Sequence, residues 1–166
     1  VVKINVPYCL ELDQEEKIYT KILKRSDFKA HIAPHTIKVA SMFSVMSRLK
    51  KSGKCDLLTK MKIYNGEEVI EKGRVKNIDI NDLREEHREE GMTGISTRFI
   101  MKSIDHALVM SENHCVTPIG VMKSITKMVK EQIVDEDTRE KCLELIQNVV
   151  REEYLKILET EIAKAF

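Results

Sequence analysis

Residues 91–109 read G-M-T-G-I-S-T-R-F-I-M-K-S-I-D-H-A-L-V. Gly91 and Gly94 bracket a turn and Ser96 is a helix-capping residue; Phe99, Ile100, Ile104, Leu108 and Val109 then line one face of a helix. The same pattern of cap followed by apolar stripe repeats outward in both directions. Upstream, D-x-x-E from Asp13 opens a helix over about 14–25, carrying Ile18, Ile22 and Leu23 and closed by Lys24 and Arg25. Pro34 precedes a second, well-buried helix over 35–51, through Ile37, Ala40, Met42, Phe43, Val45, Met46 and Leu49. Asp56 caps a shorter one with Leu57, Leu58, Met61 and Tyr64, stopped by Asn65-Gly66. Residues 66–80 read as a mobile polar stretch, and 79–90 as a surface helix anchored by Ile80 and Leu83 and ending at Gly91.

Downstream, Thr117-Pro118 starts a helix through Val121, Met122, Ile125 and Val129. Asp137 followed by Glu140 starts a last one over 138–166, with Leu143, Ile146, Val150, Tyr154, Ile157 and Ile162 on one side. At about 1.5 Å per residue that helix reaches roughly 40 Å, so its far half is expected to protrude or to meet a partner. Val2, Ile4 and Val6 alternate before Pro7, which predicts a short strand at the N-terminus. The fold class is mostly α, with that strand at the entry and a long C-terminal helix.

The chain has 166 residues, 42% of them hydrophobic and 33% charged, a balance that suits one folded domain and excludes a disordered polymer. No apolar run approaches the roughly 20 residues of a membrane span, and no leader is recognisable, so a cytoplasmic protein is expected. The abrupt apolar start at Val1 reads as a segment cut from a longer protein. Cys9, Cys55, Cys115 and Cys142 are far apart, which favours reduced thiols over disulfides or a zinc site. Residues 1–62 carry 13 Lys or Arg against 6 acids, and the remainder 15 against 21. Such asymmetry suits an anion-binding front half, a head-to-tail assembly, or a plain solvated surface.

A catalytic engine is not evident. The P-loop pattern, the H-R-D and D-F-G elements of kinases and the G-x-S-x-G elbow are missing from the sequence, and no catalytic residue is assigned. His31 and His35, and the run Asp105, His106, His114 and Cys115, do not form a complete ligand set, and no metal site is assigned. Lys123, Lys127 and Lys130 form a basic stripe that would suit phosphates, but with only Gln132 nearby to read bases, nucleic acid is an unfavoured partner.

Arg98 asks for a partner. It sits in the first turn of the helix that Ser96 caps, where a cation opposes the helix dipole by about 0.3–1 kcal/mol unless an anion lies there. A phosphate would satisfy both the amides and the guanidinium; solvent, or pairing with Glu89, Glu90 or Asp105, would explain Arg98 without a ligand.

The stretches E-E-G-M-T-G-I-S-T-R-F-I (89–100), H-I-A-P-H-T (31–36), M-F-S-V-M-S-R-L-K (42–50) and D-L-L-T-K-M-K-I-Y-N-G (56–66) resemble the PrkA family of bacterial serine protein kinases. The resemblance covers nearly the whole chain. It implies an internal segment of an ATP-dependent kinase: residues 1–34 ending a large AAA+-like subdomain, 35–131 a helical bundle like an AAA+ lid, and 132–166 starting the C-terminal region. It further implies that Arg98 acts like the sensor-2 arginine of AAA+ proteins, with Ser96 and Gly94 beside it at the nucleotide. ATP and Mg2+ would be cofactors of the complete protein, with none expected on this segment, which alone should be inactive. Its partners would be ATP, a protein substrate and, since AAA+ relatives often form rings, further copies of itself. Two other readings stay open: a non-catalytic helical interaction module using Ile157 and Ile162, and the nucleic-acid binder using the lysine stripe.

Overall fold

The computed structural model describes residues 2–26, 28–71, 74–75 and 78–165. Its elements in chain order are α1 (Leu12–Arg25), β1 (His31–Ile32), α2 (Thr36–Arg48), α3 (Leu57–Tyr64), β2 (Ile70–Glu71), β3 (Arg74–Val75), α4 (Ile80–Glu86) and α5 (Thr97–Val109). There follow β4 (Cys115–Val116), α6 (Pro118–Gln132), and a helical run made of α7 (Glu136–Glu144), a π-helical segment (Leu145–Val150) and α8 (Arg151–Ala165). The mostly α class holds. No helix among the described residues is long and apolar enough to cross a membrane.

Helix α2 is the axis of the packing. Val39, Ala40, Met42, Phe43, Val45 and Met46 are all essentially inaccessible, so apolar side chains leave it on every side and it must be enclosed. It is enclosed by α1, α3, α5, α6, α7 and the π segment. Its start is tied to that of α6 by a two-residue parallel ladder, His31 opposite Cys115 and Ile32 opposite Val116. The Val116 carbonyl also accepts from Ala33 N at 2.9 Å and from Thr36 Oγ1 at 3.1 Å. Pairs this short leave no alternating pattern in a sequence.

The caps at Asp56, Ser96 and Thr117 are present as expected, each side chain accepting from the N–H three residues on. Gly66, Gly91 and Gly94 have positive φ, as their stop and turn roles require. Four expectations are corrected. Residues 2–10 form no strand: Val2, Ile4 and Val6 are exposed, and the one backbone bond outside the segment is Tyr8 N to Gly91 O at 2.8 Å. A strand needs a neighbour's ladder, and the described residues offer none here. Helix α1 starts at Leu12 without a side-chain cap, because Asp13 turns to Asn65, accepting from its Nδ2 at 3.1 Å. The helix expected over 79–90 stops at Glu86, since Glu90 is drawn into the interior. The last helix is capped by Asp135, which accepts from Thr138 N at 2.9 Å, and not by Asp137. In the stretch 66–80, β2 and β3 pair antiparallel, while 72, 73, 76 and 77 lie outside the described residues, as does Phe166 of the last helix.

The π segment answers a spacing problem. Cys142, Ile146, Val150 and Tyr154 are buried at four-residue steps, and in an ideal α-helix each such step drifts by about 40°. A wider π turn absorbs part of that drift and keeps the apolar row on the core. Beyond Leu158 the helix is exposed, its side chains touching the body through Glu161 Oε1 at 2.8 Å from His35 Nε2.

The Asp135 carboxyl is held below its usual pKa by hydrogen bonds from Thr138. A lowered carboxylate pKa stabilises the fold above the ordinary value and loses that contribution as pH falls through the lowered one. Asp135→Ala is therefore expected to lower the urea midpoint at neutral pH and to converge on the wild type in acid.

Candidate functional site

The segment from Glu89 to Arg98 runs over the C-terminal end of α2 and is held there by two buried ion pairs. The first is between Arg48 and Glu15, Nη2 to Oε1 at 2.8 Å, with side chains 0% and 1% exposed. Arg48 spends its other donors on carbonyls: Nε on Ile95 O at 3.0 Å and Nη1 on Cys9 O at 2.8 Å. Its guanidinium also lies 4.8 Å from the centre of the Tyr8 ring. Glu15 is satisfied in turn, since Ser44 Oγ donates to Oε1 at 3.3 Å and Tyr19 Oη donates to Ser44 Oγ at 2.8 Å. Burial and the Glu15 carboxylate push the Tyr19 hydroxyl far above its usual pKa, so it keeps the proton it donates.

The second pair is between Lys60 and Glu90, Nζ to Oε1 at 2.6 Å, with side chains 0% and 3% exposed. Oε1 also accepts from Lys50 N at 2.7 Å, and Oε2 from Tyr64 Oη at 2.8 Å. Burial and this carboxylate raise the Tyr64 hydroxyl in the same way. Lys60 Nζ also donates to Lys50 O at 3.2 Å, so both charges are desolvated but hydrogen-bonded beyond the pair itself, the condition under which a buried pair is tolerated.

Between the two pairs lies the glycine turn. Gly94 has φ +116°, and a Cβ there would come within 2.9 Å of Arg48 Cα and Ser47 O. Ile95 N donates to Ser47 Oγ at 2.9 Å, and Ser96 Oγ accepts from Phe99 N at 3.3 Å. Gly94 and Ser96 therefore build the turn that aims α5, and Arg98 projects from its first turn. Arg98 is exposed and makes no hydrogen bond or ion pair among the described residues; Glu89 and Glu90 go to Lys50 and Lys60 instead. The resulting site offers one unpaired guanidinium beside the leftover amides of a helix start.

Sequence reasoning named Arg98, Ser96 and Gly94 as candidates but not Arg48, Glu15, Lys60 and Glu90, whose ion pairs hold the segment that carries them. The available signal was a charged residue at the end of an apolar run: Arg48 closes a helix whose Val39, Ala40, Met42, Phe43, Val45 and Met46 are all buried.

His106 is engaged elsewhere. His106 Nδ1 lies 3.0 Å from Ser124 Oγ, whose own proton goes to Ser103 O at 2.7 Å. The ring therefore donates through Nδ1, and its Nε2 faces Lys127 Nζ at 3.4 Å. A serine that accepts from its histidine is not deprotonated by it, so this Ser–His–Lys cluster is structural.

Comparison with known proteins accords with the motif segment. The family described as PrkA serine protein kinase C-terminal domain matches residues 58–166. The chain belongs to the PrkA family. The PrkA AAA domain matches residues 1–56, so the two matches meet at the start of α3. Over its full length the chain is 35% identical to the ATP-dependent protease PrkA of Bacillus subtilis (strain 168), and covers 26% of that protein. Over 98% of its length it is 30% identical to the serine/threonine kinase YeaG of Escherichia coli (strain K12), again covering 26%. The chain thus spans about a quarter of the length of the curated relatives it matches. No solved structure matches it.

Removing Arg48 strands Glu15 in the interior of this PrkA segment. Arg48→Met is expected to cost about 3–5 kcal/mol in urea unfolding, the scale for breaking a buried pair. Gly94→Ala should destabilise by about 2 kcal/mol or more, through positive φ and overpacking. Gly53→Ala, where a Cβ meets open space, should be close to neutral.

Proposed function

We propose that this chain is the segment of an ATP-dependent serine protein kinase that sets a cation, Arg98, on the nucleotide phosphates and transmits the resulting movement. The observation that carries the reading is an exposed, unpartnered Arg98 on a turn fixed by two buried ion pairs. A helix start repels a cation, so a side chain kept there without a protein carboxylate is matched to an anion from elsewhere. The match of residues 1–56 to an AAA domain supports nucleotide as that anion.

When bound, ATP with Mg2+ supplies the transferable phosphoryl group. Arg98 and the first-turn amides of α5 hold negative charge on its oxygens, most strongly as charge develops in transfer. Gly94 and Ser96 act by keeping α5 aimed. On this reading residues 1–34 finish the large AAA+-like subdomain, 35–131 are the lid and 132–166 lead into the C-terminal region. Because α2 packs on α1 as well as on the π segment, the three stretches share one core. The parent acts on a protein substrate in the cytoplasm, and its copies assemble through the AAA+-like part.

The name of the Bacillus relative supplies a second reading, ATP-driven proteolysis. Within this segment the Ser124–His106 pair supplies no nucleophile for it, since Ser124 Oγ donates to Ser103 O.

The test uses the full-length parent, wild type beside Arg98→Ala and Arg98→Lys. ATP hydrolysis, phosphoryl transfer to a protein and ATP-dependent cleavage of casein are measured, with nucleotide binding followed separately. Arg98→Ala should lower turnover on the order of 10²-fold with binding retained within a few-fold, and Arg98→Lys should recover part of it. Unchanged turnover would remove Arg98 from the nucleotide site, and casein cleavage without phosphoryl transfer would replace the kinase reading by the protease one.

A further inference from the structure

Helix α6 and the π–α8 run enclose a groove of about 870 Å³ that the preceding site does not use. Its apolar lining includes Met122, Ile146, Leu155 and Leu158, and Leu155 is 46% exposed. Lys123, Lys127 and Lys130 run along the α6 edge, and Arg151 stands at the α8 side. Glu131 is the one acid among the described lining residues, and its bond to Lys127 is a long 4.0 Å surface pair that neutralises little. On α8, Glu153 is turned toward α3, with Oε1 2.5 Å from Lys62 Nζ. The result is an apolar trough whose described lining sets Lys123, Lys127, Lys130 and Arg151 against the single acid Glu131.

We propose that this groove docks an acidic amphipathic helix of a protein partner. Two helical walls fit a third helix laid between them, as in helix-in-groove recognition. The α6 lysines stand four and three residues apart, the spacing at which successive carboxylates appear on one side of an incoming helix. The apolar floor argues against nucleic acid, whose phosphates would gain from the lysines and nothing from Leu155 or Leu158. The π segment forms part of the wall, and such segments are over-represented at functional surfaces.

The probe is a fluorescein-labelled amphipathic helix of about five turns, with Leu on one face and Glu beside it. A control peptide carries Lys in place of Glu, and both are titrated by anisotropy against the full-length parent. The Glu peptide should bind saturably and the Lys peptide should not. Binding should weaken at least about tenfold in K123E/K127E, in Leu155→Glu and at high salt. The lysines are exposed, so the double variant keeps the fold and the test survives a misfolded Leu155→Glu. Failure of the Glu peptide to bind, or equal binding of both peptides, would overturn the proposal. Tighter binding of single-stranded DNA, unaffected by Leu155→Glu, would overturn it in favour of nucleic acid. Self-association in sedimentation, abolished by K123E/K127E, would overturn it in favour of a second copy.

Discussion

The Arg48–Glu15 pair is the constraint around which the rest is arranged. Taking both charges out of water costs several kcal/mol each, and the mutual attraction repays this only if the remaining donors are bonded. That requirement recruits backbone from distant parts of the chain: Cys9 O from the N-terminal strap and Ile95 O from the turn before α5. One guanidinium therefore fixes the strap, α1, α2 and the turn relative to one another. The turn can lie this close only because Gly94 has no side chain to meet the Arg48 backbone.

The second pair completes the frame. Lys60 and Glu90 pin the chain on the other side of the turn, and the pull on Glu90 is what ends α4 at Glu86. Cations in this protein thus fall into two kinds. Arg48 and Lys60 are consumed by the fold, each of their nitrogens hydrogen-bonded, whereas Arg98 and the α6 lysines are held in water by elements whose own positions are settled. The first kind makes the second usable, since a cation recognises a partner with little entropic penalty only when its helix is rigid.

Much of the helical architecture could be read directly, because the signals are local. Asp56, Ser96 and Thr117 cap where they should, and the apolar stripes of α2, α5 and α6 bury as their spacing indicates. Arg98 was legible for the same reason: a cation in a first helical turn is a sequence fact. The N-terminal strand was misread because alternation records a capacity to pair and not the presence of a partner. The β1–β4 ladder was missed because two residues carry no period. The choice of Asp135 over Asp137 turned on which carboxylate meets a free amide, which neighbouring acids in one run do not reveal.

Sequence alone determined the helical class, the placement of most helix starts, the PrkA resemblance and the single cation at the start of α5. Only the tertiary structure decided that Arg48 and Lys60 are interior, that Gly94 is required by Arg48, and that the lysine stripe borders an apolar trough. The physical reason is range. Capping and periodicity act within a few residues, whereas the worth of a buried charge or an open groove depends on which distant groups the completed fold brings beside it.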